Sequence, residues 1–190
     1  MKKTMLAGVL FTCFGAFPLF AAPYFDASVG MGFPGDRKFE NGITMSLDNN
    51  VVLNGACGYK TGPFRVEAAA GYEKHNFTND TPNGKADISF FSVMANGYYD
   101  FDAVIGVAPY LMAGSGILST NVHDQTFANY DSQNSFAWQI GTGIGIKATS
   151  HVTFDLGYRY LKPTSGKGVA NGLDVQWEGH SVLAGIRYEL

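Results

Sequence analysis

Alternation with a period of two, repeated eight times, limits this chain more than any other feature. Successive side chains of a strand point to opposite faces, so each such segment has one apolar face and one polar or small one. The first segment sets Phe25, Ala27, Val29, Met31 and Phe33 against Asp26, Ser28, Gly30 and Gly32. The second ends at Lys60 and begins as early as Ile43, with Ile43, Met45, Leu47, Val51, Leu53, Cys57 and Tyr59 in phase. The third sets Phe64, Val66, Ala68, Ala70 and Tyr72 against Arg65, Glu67, Ala69, Gly71 and Glu73. The fourth (Ile88 to Tyr99) sets Phe91, Val93, Ala95 and Tyr99 against Ser92, Met94, Asn96 and Tyr98. The fifth (Pro109 to Ser119) has the weakest contrast, because Met112 and Leu118 share a phase with Gly114 and Gly116. In the sixth, Phe136, Trp138, Ile140, Thr142, Ile144 and Ile146 oppose Gln139, Gly141, Gly143, Gly145 and Lys147. The seventh sets Val152, Phe154, Leu156, Tyr158 and Tyr160 against Thr153, Asp155, Gly157 and Arg159. The eighth sets Val182, Ala184, Ile186, Tyr188 and Leu190 against Ser181, Gly185, Arg187 and Glu189. Val175 and Trp177 are out of step with it, which predicts a bulge near Gly179.

The connections alternate in length. Thr61-Gly62-Pro63 and Thr149-Ser150-His151 are tight turns, and the link from Asp100 to Ala108 is longer. The other four are polar loops of about a dozen residues, such as Lys74 to Asp87 and Ser119 to Asn134, by the short-turn and long-loop rule of membrane barrels. The pattern predicts an all-β, eight-stranded antiparallel up-and-down transmembrane β-barrel, with both ends of the barrel chain at the short-turn rim. In hydrocarbon no water satisfies an open strand edge, so the first strand must pair with the last.

Which face lines the interior decides between a membrane barrel and a soluble, lipocalin-like periplasmic barrel. The polar face is crowded with Gly, Ala and Ser, as the narrow lumen of an eight-stranded barrel requires. Aromatics on the apolar face gather at strand ends. Phe25, Tyr59, Phe64, Tyr99 and Tyr188 lie toward the short turns, and Phe33, Tyr72, Phe91, Trp138 and Tyr160 toward the long loops, as two interfacial girdles would. The band between them carries no charge. A charge there would cost roughly 2–4 kcal/mol at mid-bilayer. Lumen-facing charges balance: Lys60, Arg65, Lys147, Arg159 and Arg187 against Asp26, Glu67, Glu73, Asp155 and Glu189. Equal numbers predict a structural, salt-bridged plug, because a buried ion needs a partner; a conducting pore would show an excess of one sign.

The start of the chain predicts export. Lys2 and Lys3 precede an apolar run from Met5 to Phe20, and Leu19-Phe20-Ala21-Ala22 offers small residues for cleavage. A cut after Ala21 keeps Pro23 away from the scissile bond and divides the chain into a signal, 1–21, and a barrel, 22–190. As a membrane anchor the run is short of the roughly 20 residues a spanning helix needs. Cys13 falls within the signal, and Leu10-Phe11-Thr12 lacks the small residue a lipid-attachment cysteine wants before it. Cys57 is then the only cysteine of the exported chain, and neither an internal disulfide nor a metal site is expected. Without Lys2 and Lys3 the 13 basic residues fall to 11 against 16 acidic ones, which argues against nucleic acid. Charged residues make up 15% of the chain, against roughly 25% in soluble domains, as a wall facing lipid demands.

Several segments resemble the opacity-like family of outer-membrane β-barrel surface proteins: Tyr98-Tyr99-Asp100-Phe101, Pro109-Tyr110 with Gly114 and Gly116, Phe136-Ala137-Trp138-Gln139 with Gly141, Gly143 and Gly145, Leu156-Gly157-Tyr158-Arg159-Tyr160, and His180 to Tyr188. The resemblance spans nearly the whole exported chain. It implies an outer-membrane location, surface exposure, adhesion or immune contact, and in some members modest permeability. Such chains usually end in Phe, which resembles an insertion signal, whereas this one ends in Leu190.

Catalytic chemistry finds no support. His180 and Ser181 are neighbours on a strand and point to opposite faces. His75 and His123 fall in expected loops, with His123-Asp124 a candidate loop ion site, and His151 in a turn. No Gly-x-Ser-x-Gly elbow, phosphate loop, HExxH or EF-hand spacing occurs. No catalytic residue, cofactor or metal is therefore expected, and function should lie in the loops. Phe39, Phe77, Phe127 and Tyr130 are apolar handles there for a host or surface protein. Arg37, Lys38, Lys74, Lys85, Lys162 and Lys167 lie near the outer rim, within reach of lipopolysaccharide phosphates. The expected reading is a monomeric, adhesin-like surface barrel with a plugged lumen, and the alternatives are a small-solute porin and the lipocalin-like barrel.

Overall fold

The structure is a computed structural model and describes residues 21–34, 37–38, 44–45, 50–78, 85–124, 133–164 and 178–190. The export signal of residues 1–20 lies outside the described residues. So do Phe39, Phe127, Tyr130, Lys167, Val175 and Trp177.

Among the described residues ten strands follow one another: β1 (Ala22–Pro34), β2 (Arg37–Lys38), β3 (Thr44–Met45), β4 (Asn50–Thr61), β5 (Phe64–Thr78), β6 (Lys85–Asp100), β7 (Val107–Asp124), β8 (Gln133–Lys147), β9 (Val152–Pro163) and β10 (Gly179–Glu189). Eight of them close a barrel in the order β1-β10-β9-β8-β7-β6-β5-β4, every pair antiparallel, while β2 and β3 form a separate two-stranded ribbon. The seam is the expected pairing of first and last strand, from Tyr24 opposite Glu189 to Pro34 opposite Gly179. A final backbone hydrogen bond, Leu190 N–H to the Pro23 carbonyl at 2.9 Å, finishes it.

The apolar set of every strand faces outward. Val29, Met31, Leu53, Val66, Leu111, Ile117, Ile140, Leu156, Val182 and Ile186 are all exposed on the outer wall. Their opposites, such as Tyr24, Arg65, Glu67, Gln139 and Arg187, are buried inside. This is the inverse of a soluble barrel, and it removes the lipocalin-like reading. The fifth sequence segment also keeps its phase: Met112 and Leu118 are buried in the lumen, on the face of Gly114 and Gly116.

Two sequence expectations are corrected. The second sequence segment does not start at Ile43. β4 starts at Asn50, and Thr44–Met45 pairs with Arg37–Lys38 instead; the intervening Asp48 and Asn49 are poor strand formers. The loops after the third and fifth sequence segments are shorter than expected, because β5 runs on to Thr78, β6 begins at Lys85, β7 reaches Asp124 and β8 begins at Gln133. His75 and His123 therefore lie in strands, opposite Ile88 and Asp87. Above the bilayer a strand has no lipid-facing side to mark, so the alternation fades while backbone pairing continues. The ladder of β10 with β1 and β9 is regular from Gly179 onward, and the Val175 and Trp177 phase from which a bulge is expected lies outside the described residues.

The turns at the short-turn rim are specific. Thr61 pairs with Phe64 across Gly62-Pro63, with Gly62 at φ +57°. Thr149 closes the β8–β9 turn, its Oγ1 accepting the backbone N–H of His151 (3.2 Å) and Val152 (3.0 Å). Between β6 and β7, Val104 bridges to Val107 around Ile105 (φ +53°) and Gly106 (φ +78°). This two-residue turn with both central φ positive normally takes Asn-Gly or Asp-Gly.

Candidate functional site: the lumen

Alternation and the small diameter of an eight-stranded barrel force the inward side chains together. Toward the short-turn rim they form a polar network. Arg65 on β5, with its side chain 3% exposed, grips Asp100 at the end of β6: Nε donates to Oδ1 at 2.9 Å and to Oδ2 at 3.0 Å, and Nη2 lies 2.9 Å from Oδ1. Lys60 reaches the same carboxylate at 3.3 Å and Glu189 at 3.7 Å. Arg187 Nε lies 3.5 Å from Glu189 and 3.8 Å from Asp155. The Arg65 guanidinium also sits over aromatic faces, 4.1 Å from the ring centre of Tyr98, 5.2 Å from Tyr110 and 5.9 Å from Tyr24. Each is a favourable cation–π arrangement.

Glu67 departs from the expected pairing. Three neutral donors hold it: Tyr24 Oη at 3.0 Å, Tyr98 Oη at 2.6 Å and Asn96 Nδ2 at 2.9 Å. Gln139 Nε2 then donates to Asn96 Oδ1 at 2.5 Å. Higher up, Asn50 Nδ2 donates to Glu73 at 3.2 Å.

Of the ten charges expected in the lumen, the structure links Lys60, Arg187, Asp155 and Glu189 through ion pairs and Arg65 to Asp100. Asp26 stands opposite Arg187 in the ladder and lines the same cavity as Arg159. Lys147 is not brought in: it is exposed at the mouth, its backbone N–H bonded to the Gly106 carbonyl at 3.0 Å. Asp100 is the residue that sequence reasoning missed. Its parity continues that of Asn96 and Tyr98, which was the available signal. Tyr24 and Tyr110 were also missed, although both share the parity of the lumen-facing residues of their strands.

Toward the long-loop rim the lumen turns apolar, which the expected salt-bridged plug did not include. Phe90, Met94, Leu118, Ala137 and Leu161 form one buried cluster inside the barrel. Within the polar network lies a cavity of about 40 Å³ lined by Asp26, Arg65, Glu67, Tyr98, Asp155 and Arg159, among others. Both carboxylate oxygens of Asp155 and the Nε of Arg159 are buried without a hydrogen-bond partner. A void of this size and polarity has room for water. Among the described residues, no group of His, Cys, Asp and Glu could hold a metal ion.

The outer wall bears the two aromatic sets. Phe25, Phe33, Phe64, Tyr72, Phe91, Tyr99 and Tyr188 are between 39% and 56% exposed, while Tyr59, Trp138 and Tyr160 are half-buried. Phe64 meets Tyr99 edge to face at 5.4 Å, and Trp138 meets Tyr160 at 5.6 Å. At the long-loop rim Tyr160 Oη donates to Glu178 at 2.6 Å, Lys162 lies 3.8 Å from that carboxylate, and Tyr158 Oη bonds the His180 ring at 2.5 Å. His180 thus faces outward while Ser181 is buried inside.

A family model described as outer membrane protein beta-barrel domain matches residues 5–188. The outer membrane protein PagN of Salmonella typhimurium is 33% identical over 87 residues, covering 42% of this chain and 36% of PagN. The chain thus spans about a third of that relative's length. The attachment invasion locus protein of Yersinia enterocolitica is 23% identical over 180 residues, covering 88% of this chain and 93% of the relative. Among solved structures, Neisserial surface protein A superposes with a TM-score of 0.67 at 21% identity, covering 90% of this chain and 99% of that one. Ail of Yersinia pestis, solved in complex with the heparin analogue sucrose octasulfate, gives a TM-score of 0.55 at 17% identity, covering 88% and 99%.

Proposed function

Because the chain belongs to the outer membrane protein beta-barrel domain family, we propose that it is a surface-display barrel whose lumen is structural and whose four long connections carry its contacts. The chain resides in the bacterial outer membrane, and its wall is built for that solvent. In this reading residues 1–21 are a cleaved export signal, which fits a first strand that begins at Ala22.

The observation that carries the proposal is the filling of the lumen. An apolar layer around Phe90, Leu118 and Leu161 stands over the Arg65–Asp100 network, and the cavity within that network is about 40 Å³. A hydrated ion would have to break both layers to pass. The runner-up, a small-solute porin, needs an open path. Planar-bilayer recordings with purified, refolded protein decide between them: the plugged barrel gives no stable conductance steps, and reproducible steps would establish the porin.

With the lumen closed, adhesin-like contact falls to the segments 35–49, 79–84, 125–132 and 164–178, held at one rim by the barrel. Lys74 and Lys162, near that rim, suit phosphate or sulfate groups. Lipopolysaccharide is the partner within the membrane. A sulfated glycan is the first external ligand to test, since Ail was solved with a heparin analogue. Cells displaying the protein should bind immobilised heparin above a no-protein control; binding equal to the control would remove that ligand class. The reading assigns no catalytic role, and lipid A acylation should be unchanged after long incubation with purified protein.

A further inference from the structure

The β6–β7 turn has a composition that no other short-turn connection shares. Residues 101–106 are all exposed, and Phe101, Ala103, Val104 and Ile105 are apolar, with Asp102 the single charge. Val104 is 69% exposed and Ile105 97%, so neither packs against the protein. The other two connections at this rim, Gly62-Pro63 and Thr149-Ser150-His151, carry no large aliphatic side chain.

Ile105 also holds the least suitable backbone in the barrel. At φ +53° it is the only non-glycine residue with positive φ among the described residues. A β-branched side chain is strongly disfavoured there, where Asn or Asp is the ordinary choice. An exposed, strained isoleucine makes sense if its side chain is buried by something outside the chain.

The surroundings identify what buries it. Phe64 contacts Tyr99 at 5.4 Å and Tyr99 contacts Phe101 at 5.0 Å, so a row of rings leads from the lipid-facing wall down to this turn without a break. Lys147 is exposed beside it, its backbone bonded to Gly106. Apolar tips below an aromatic girdle, with a flanking cation, match the interface of a phospholipid leaflet: tails for the side chains and phosphates for the ammonium group.

We propose that the Val104–Ile105 turn is a lipid-inserted foot, dipping into the phospholipid leaflet at the short-turn rim, while the other two turns stay in water. The inference goes beyond the surface-display reading and needs only that the wall faces lipid.

The test uses single-tryptophan reporters in the full barrel. Trp138→Phe and Trp177→Phe remove the two native tryptophans, and Ile105→Trp, Val104→Trp or Ser150→Trp adds one. Each is refolded into phosphatidylcholine–phosphatidylglycerol vesicles, with folding checked by heat-dependent gel mobility. Tryptophan at 105 and at 104 should emit at shorter wavelength than at 150, and lipids brominated near the headgroup end of the chains should quench it by half or more. Val104→Trp carries the test if Ile105→Trp does not fold. Emission and quenching at both sites equal to those at Ser150→Trp would overturn the proposal, including the case in which a periplasmic protein is the true partner. Conductance steps would sink the plugged-lumen reading and leave this result untouched.

Discussion

At the scale of single residues, Arg65 organises the interior. It neutralises Asp100 and lies on Tyr98, and it is almost wholly removed from solvent. Arg65→Ala should strand the Asp100 carboxylate in a low-dielectric lumen and lower unfolding stability by about 3–5 kcal/mol, measured by urea titration in vesicles. The double change Arg65→Met with Asp100→Leu should recover most of that loss, because replacing both partners leaves no orphan charge. If the double variant is as unstable as the single one, the pair matters through Tyr98 stacking rather than through charge. Period two revealed Arg65 from the sequence, since parity needs only the neighbours. Asp100 escaped notice because the fourth segment is expected to end at Tyr99, which assigns Asp100 to the connection rather than to a lumen-facing position.

Glycines show what strands contribute. Tyr24 lies over Gly58, where an added Cβ would fall 2.7 Å from the ring, and Tyr110 lies over Gly143 and Gly157, with an added Cβ at Gly143 falling 2.5 Å from its hydroxyl. Gly58, Gly143 and Gly157 are therefore the seats of the tyrosines that hold Arg65 and Glu67. Gly143→Ala should lower stability by about 1–3 kcal/mol, as overpacking does. On the lipid face Gly55 has nothing within 4 Å of its would-be Cβ, so Gly55→Ala should be neutral or stabilising by about 0.5–1 kcal/mol. Equal effects in the same denaturant series would mean the inward tyrosines are not seated as described. The sequence showed that the lumen face was small. It did not show which glycine faced which ring, because that depends on the stagger between strands more than one position apart.

For the whole molecule, closure predicts the behaviour on a detergent gel. A barrel with every strand paired on both sides should keep its fold in cold detergent and migrate differently after boiling. An identical position for boiled and unboiled samples of isolated outer membranes would contradict a closed wall. Fold class and inside-out polarity were legible from alternation because bilayer and lumen select opposite chemistries at every step. The apolar upper layer was not, since Phe90, Leu118 and Leu161 look the same whichever face they occupy.

The seam has a consequence in time. β1 and β10 are joined by eleven residue pairs, from Tyr24–Glu189 to Pro34–Gly179, each between residues about as distant along the chain as this barrel permits. All other pairings in the wall are between consecutive barrel strands and can zip locally. The seam alone must wait for the whole chain, so every earlier intermediate has two raw edges that hydrocarbon cannot satisfy. The committing step of assembly is thus the meeting of the first strand with the last, and whatever shelters those edges until then sets the pace at which the wall is completed.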